Sequence, residues 1–190
     1  SLPIDAANNY ILAEDVLAAV DNPNFTNSAV DGYAFSYDDL TGGKFTCKHE
    51  VSAGAVFSEH FDSSKDLIRI FTGAALPSGC DTVVMQEDVT HENNHFSFNL
   101  VAIKKAANVR LQGEQIKQSQ IALKKGTKLS AASIGYLASL GVETAPVYRK
   151  ARVASLITGN ELRPIGSMLG AGEIYESNGV LLSSYLPIMK

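Results

Sequence analysis

Tryptophan is absent from the sequence, and cysteine occurs only twice, at Cys47 and Cys80, far apart along the chain. Two isolated thiols exclude a disulfide-stapled scaffold and a cysteine zinc knuckle, and they are the default of a reducing cytosol. No apolar run approaches the ~18 residues that a membrane-spanning helix needs, so no membrane association is expected. No basic stretch followed by an apolar one opens the sequence, so no signal peptide is visible and a cytoplasmic location is expected. A basic surplus is missing as well. Sixteen lysines and arginines stand against 20 aspartates and glutamates, a formal net charge of −4. Nucleic-acid binders carry the opposite balance, so no nucleic acid is expected as a partner. What is present is ordinary globular composition, 45% hydrophobic and 19% charged over 190 residues. That is enough chain for one or two domains.

The order of residues divides this material. Residues 2–17 read as a short helical turn running into a strand. From Asp21 to Phe35 the chain is loop chemistry, rich in Asn, Asp, Ser and Thr and holding the pair Asp31-Gly32. From Tyr37 to about Ile103 the pattern is β. Strands are predicted at 67–72, at 81–86 and, after a polar turn at Glu92-Asn-Asn, at 95–103. Short strands follow around Gly113 and Gly126. Ser130 then caps a helix with Ile134, Leu137 and Ala138 at helical spacing, and Gly141 suits its left-handed stop. The apolar run Arg152–Thr158 has the composition of a parallel strand buried on both faces. A Pro/Gly-rich loop and a helix opened by Ser177-Asn178 come next. Strand, loop and helix are the opening of an α/β domain, and one such unit cannot bury its own faces. The expectation is therefore a piece of a longer chain.

Four segments in order resemble one family: Asn27–Phe35 (NSAVDGYAF), Arg69–Glu87 (RIFTGAALPSGCDTVVMQE), Asn108–Glu114 (NVRLQGE), and Thr158–Leu162 (TGNEL) continued by Gly172–Asn178 (GEIYESN). The chain is similar to the molybdopterin molybdenumtransferases, a family that also includes the C-terminal domain of gephyrin. The resemblance covers essentially all 190 residues. It implies a mixed α/β and β multidomain fold. A linking domain at 1–36 and 107–145 would carry an inserted β-rich domain at 37–106, and an incomplete α/β molybdopterin-binding domain would open at 146–190. The activity it implies is transfer of molybdate onto adenylated molybdopterin with release of AMP and with Mg2+ as the cation, this piece being inactive alone. It also implies a homodimer with sites assembled between subunits, and a molybdopterin adenylyltransferase as the upstream enzyme. A second reading is a dimerisation or scaffold module on the same fold, because fold alone does not fix function.

Such chemistry needs carboxylates for a hard cation, neutral donors for oxyanions, and a cation or amide facing the phosphate. Asp31 is the first candidate, as a catalytic carboxylate and metal ligand, with Gly32 letting a ligand approach the backbone. The alternative is an Asx turn. Ser28 either donates to substrate in the same loop or caps it. Thr72-Gly73 ends a strand, where a hydroxyl and free backbone amides can hold an oxyanion, or simply turn the chain. Arg110 and Glu114 flank Gly113 as substrate-binding candidates, solvated charges being the alternative. Relatives commonly carry Asp where this chain has Gln115, and an amide cannot replace a carboxylate as metal ligand or base. Thr158, Asn160 and Glu161 sit beyond the predicted 152–158 strand, where open α/β sheets bind ligands. Glu161 is read as catalytic, with Thr158 and Asn160 binding substrate; relatives usually have Asp in place of Asn160. His91 and His95 are four apart but straddle Asn-Asn, which marks a hairpin tip rather than a metal site.

Overall fold

The computed structural model describes residues 1–186. In chain order it contains β1 (Leu2–Pro3), β2 (Val16–Leu17), β3 (Asn27–Ser28), β4 (Gly32–Phe35), β5 (Thr46–Val51), β6 (Asp66–Ile70), β7 (Thr82–Met85), β8 (Thr90–Glu92), β9 (His95–Ser97), β10 (Val109–Arg110), β11 (Ile121–Leu123), α1 (Ala131–Ser139), β12 (Thr144–Ala145), β13 (Leu162–Arg163), β14 (Ile174–Tyr175) and α2 (Asn178–Tyr185). This strand-rich mixture with two short helices is the α/β and β mixed class implied above. Two compact units form. One comprises 1–16, 123–138 and 142 onward, and the other 17–122 with 139–141.

The second unit is organised by one four-stranded sheet in the order β5-β6-β4-β7. β5 and β6 are parallel, while β4 is antiparallel to both β6 and β7. Alternation sends successive side chains to opposite faces. Ala34, Ile68, Ile70 and Val83 pack on one face with Val51 and Ala74. Phe35, Leu67 and Val84 pack on the other with Leu40 and Phe45. Both faces are therefore covered, and at the centre of the sheet apolar residues stand at consecutive positions, as in Leu67-Ile68 and Val83-Val84. Gly32 is required here by space. A Cβ at this position would stand 2.0 Å from the Val84 carbonyl oxygen. The glycine admits a neighbouring strand, not a ligand.

The β8–β9 hairpin turns at Asn93 and Asn94, both with positive φ (47° and 66°), as a two-residue hairpin turn demands and Asn tolerates. His91 stacks on Phe96 with ring centroids 4.2 Å apart. Among the described residues no group of three or more His, Cys, Asp or Glu side chains converges on a metal position. The strand expected over 95–103 stops at Ser97, and a 3-10 turn at Leu100–Ala102 follows.

In the first unit, residues 9–12 thread between two segments. Asn9 N donates to Leu129 O at 2.8 Å, Leu12 N to Thr127 O at 3.0 Å, and Tyr148 N to Ile11 O at 2.9 Å. β1 pairs antiparallel with β12, and β13 pairs in parallel with β14 ahead of α2. α1 begins with the Ser133 amide donating to Ser130 Oγ at 3.2 Å, as the capping pattern predicts. Gly141, past its end, has φ 73°. The segment 152–158 departs from expectation. It is not a strand, and Val153 and Leu156 are 62% and 91% exposed. A strand buried on both faces needs a partner along each edge and a layer on each side. Among the described residues no strand pairs with this one, so its apolar side chains stay in solvent. No helix of the described residues is long and apolar enough to cross a membrane.

Candidate functional site

The pairing of β4 with β6 places Gly32 opposite Ile70. Asp31, just before β4, therefore faces the residues just after β6, and the structure brings Asp31 and Thr72 together. The Thr72 amide and the Thr72 hydroxyl each donate to Asp31 Oδ1 at 2.8 Å. The Asp31 carbonyl accepts from the Gln86 amide at 3.1 Å. Oδ2 accepts no hydrogen bond from the described residues. The Thr72 amide first, then its hydroxyl, hold the Asp31 carboxyl below its ordinary 3.8; desolvation opposes them, and the nearby Arg69 charge makes the least contribution, also downward. The carboxylate is thus kept ionised and aimed, one oxygen anchored and the other presented.

Arg69 shapes this corner. It stands opposite Tyr33 in the β4–β6 ladder. Its guanidinium carbon lies 5.0 Å from the Tyr33 ring centre and 4.9 Å from that of Phe71. Nη1 donates to Gly32 O at 3.3 Å and Nη2 to Gln86 Oε1 at 2.5 Å. Sequence reasoning passed over this residue. The available signal was a lone cation inside the apolar strand 67–71.

The amides of the Thr72 turn are not open to an oxyanion as expected. Thr72 N bonds Asp31, Gly73 N donates to Ser28 O at 2.9 Å, and Ala74 N to Phe71 O at 2.9 Å. Gly73, with φ 80°, serves to turn the chain. Ser28 is fully buried. Its hydroxyl donates to Val30 O at 2.6 Å and accepts from Val30 N at 3.3 Å, so it caps the loop that delivers Asp31. Of the two roles open to Ser28, the loop cap is the one its geometry performs. Beside it, Asn27 Nδ2 donates to Phe25 O at 3.1 Å, while its buried Oδ1 has no partner.

Arg110 enters the same neighbourhood because β10 pairs with β3, setting Arg110 opposite Asn27 and Val109 opposite Ser28. It is exposed, and among the described residues its guanidinium has no hydrogen-bond or ion-pair partner. Glu114 is tied locally, Oε2 accepting from Leu111 N at 2.9 Å. Gln115 contributes its amide N to Asn22 O at 3.0 Å.

Thr158, Asn160 and Glu161 belong to the other unit. All three are exposed. The Asn160 carbonyl accepts from Arg163 Nη1 at 3.0 Å, and the Glu161 carbonyl accepts from the Ile174 amide at 2.9 Å. Arg163 is further held by Glu173. That unit also contains a cavity of about 830 Å3 lined by Tyr10, Ile11, Tyr148, Lys150 and Arg152 among others. None of the residues predicted for the site lines it.

With the geometry in place, comparison with known proteins settles the lineage. Residues 1–141 match the family described as the MoeA N-terminal region (domain I and II). A molybdopterin molybdenumtransferase of Haemophilus influenzae is 38% identical over 179 residues, covering 93% of this chain and 44% of that protein. One from Staphylococcus epidermidis is 35% identical over 190 residues, covering 97% and 45%. The chain thus spans less than half the length of these curated relatives. The crystal structure of the molybdopterin biosynthesis MoeA protein from Pyrococcus horikoshii OT3 superposes with a TM-score of 0.87 at 32% identity, covering 98% of this chain and 51% of that one. The chain belongs to the MoeA family.

Proposed function

We propose that this chain supplies part of the machinery that inserts molybdate into adenylated molybdopterin, releasing AMP, in molybdenum cofactor synthesis. The observation that carries this reading is the Asp31–Thr72 pair. One carboxylate oxygen is fixed by two donors and the other is presented, inside the region that matches the family.

Three roles follow. Asp31 holds a cation or positions substrate through Oδ2. Thr72 orients Asp31 through both of its donors. Arg110, exposed and without an ion-pair partner among the described residues, attracts the phosphate or molybdate oxyanion. The donor set fits Mg2+, which commonly takes one or two carboxylate oxygens and completes its shell with water and substrate phosphate. Asp31 would hold it, and the cation would supply charge neutralisation at the phosphate. Gln115 offers no carboxylate, so Asp31 carries the metal-binding role in this unit. Glu161, Asn160 and Thr158 are assigned to the pterin side of the site. A homodimer with shared sites is part of the reading, as is an upstream adenylyltransferase, because the substrate must arrive already adenylated.

The test is AMP release from adenylated molybdopterin and molybdate by the gene product carrying these residues. The expected result is release that Asp31→Asn lowers by at least about 100-fold, with its urea midpoint little changed. Full activity in Asp31→Asn, or no release by the wild type, overturns the reading.

A further inference from the structure

Arg69 carries an inference of its own. It lies between Ile68 and Ile70, both fully buried, yet among the described residues it pairs with no carboxylate. Its guanidinium instead lies over the Tyr33 and Phe71 rings, at 5.0 and 4.9 Å from their centres. From that seat the guanidinium reaches the backbone that follows the Asp31 side chain. Nη1 bonds the carbonyl of the next residue, Gly32, at 3.3 Å. Nη2 bonds the side chain of Gln86, whose own amide holds the Asp31 carbonyl at 3.1 Å. The peptide that carries Asp31 is therefore gripped at two successive carbonyls, one directly and one through Gln86.

We propose that Arg69 is the positioning residue of the site: seated against two rings, it fixes the Asp31–Gly32 backbone so that the carboxylate meets Thr72 with one oxygen and presents the other. The use of that presented oxygen rests on the function proposed above; the grip itself does not. Arginine is needed because a planar fork can serve two acceptors while stacking on an aromatic face. Lysine brings a single point charge on a flexible stem. The competing account is that Arg69 only packs the sheet. In that case its loss would loosen the whole unit and not this corner.

Amide hydrogen exchange separates the two. In Arg69→Met, which keeps an apolar stem, the Thr72 and Gln86 amides should exchange at least about 10-fold faster. The Val83 and Phe45 amides, bonded to Ala107 O and Phe96 O, should stay within about 3-fold of wild type. Arg69→Lys should leave the Thr72 amide fast. Uniform acceleration of all four amides, an unchanged Thr72 amide, or full restoration by lysine each overturns the proposal. A second readout is kcat for AMP release, expected to fall in Arg69→Met and to be at most partly restored in Arg69→Lys. Local exchange with undiminished kcat would leave the grip standing and remove the catalytic use of Asp31, so the two readings fail by different signs.

Discussion

Gly32→Ala forces a side chain into the closest approach between β4 and β7. The added Cβ would lie 2.0 Å from Val84 O, 3.0 Å from Val84 C and 3.1 Å from Val83 Cγ1. Ordinary carbon–oxygen contacts begin near ~3.3 Å, so β4 and β7 must part by more than ~1 Å at this point. The obstacle is backbone and cannot rotate away. Overpacking of this kind costs about 1–3 kcal/mol, and each ladder bond lost with it about 1 kcal/mol. With two ladder bonds lost the sum is about 3–5 kcal/mol, a large part of the roughly 5–15 kcal/mol that holds a domain of this size. At a urea slope near ~2 kcal/mol/M, the midpoint should fall by about 2 M. The sequence contains no tryptophan, so the transition is followed by tyrosine fluorescence and far-UV circular dichroism. Two other glycines calibrate the result. Gly73 has open space but φ 80°, so Gly73→Ala should cost about 1–2 kcal/mol for the left-handed backbone alone. Gly43 has open space and no such φ, so Gly43→Ala should lie within about 0.5 kcal/mol of wild type. A Gly32→Ala midpoint no lower than that of Gly73→Ala would refute the close-approach argument.

Removing the Thr72 hydroxyl in Thr72→Val leaves Asp31 only the amide donor. Its carboxyl should titrate closer to 3.8, as read by carbon NMR of the side chain. A carboxyl depressed on folding adds stability above its unfolded value and loses it as pH falls through the folded one. The acid limb of the wild-type stability curve should therefore be flattened in Thr72→Val, and an unmoved titration contradicts the assignment. Cys80, largely buried and next to Asp81, has its thiol pushed up to about 12. It should resist alkylation at pH 8 until the chain unfolds, and rapid native labelling would show the burial to be wrong. If sites are shared across a homodimer, mixing Asp31→Asn with Glu161→Gln subunits should regenerate activity. Confirmed heterodimers without recovery reject the shared site.

The parts of this protein legible in its sequence are those in which a residue type answers a local demand. Asn93-Asn94 announces the hairpin because Asn tolerates positive φ. Ser130 announces the start of α1 because its hydroxyl satisfies an orphan amide. The strands around Ile68, Ile70 and Val83 were legible as short apolar runs rich in β-branched residues, which is again a local property. What escaped depends on partners distant in sequence. The turn amides of Thr72, Gly73 and Ala74 could not be known to be occupied, because Asp31 and Ser28, which hold two of them, lie more than forty residues away. The Arg152–Thr158 run shows the converse case. Its composition records what the segment can bury against, and without a pairing strand it stays exposed.

The candidate site and the core are specified by one and the same register. Gly32 opposite Ile70 sends Ala34 and Phe35 to their two apolar faces and simultaneously sets Asp31 within 2.8 Å of the Thr72 donors. A slip of β4 by one residue would exchange its faces, turning Phe35 away from Phe45 and Leu67. It would also bring a Cβ-bearing residue to the place where only glycine clears the Val84 carbonyl, and it would carry Asp31 away from Thr72. Each of these errors is costly on its own terms, and they occur together. The hydrophobic packing that stabilises the unit therefore also fixes the position of the Asp31 carboxylate, with Arg69 of β6 joining the two.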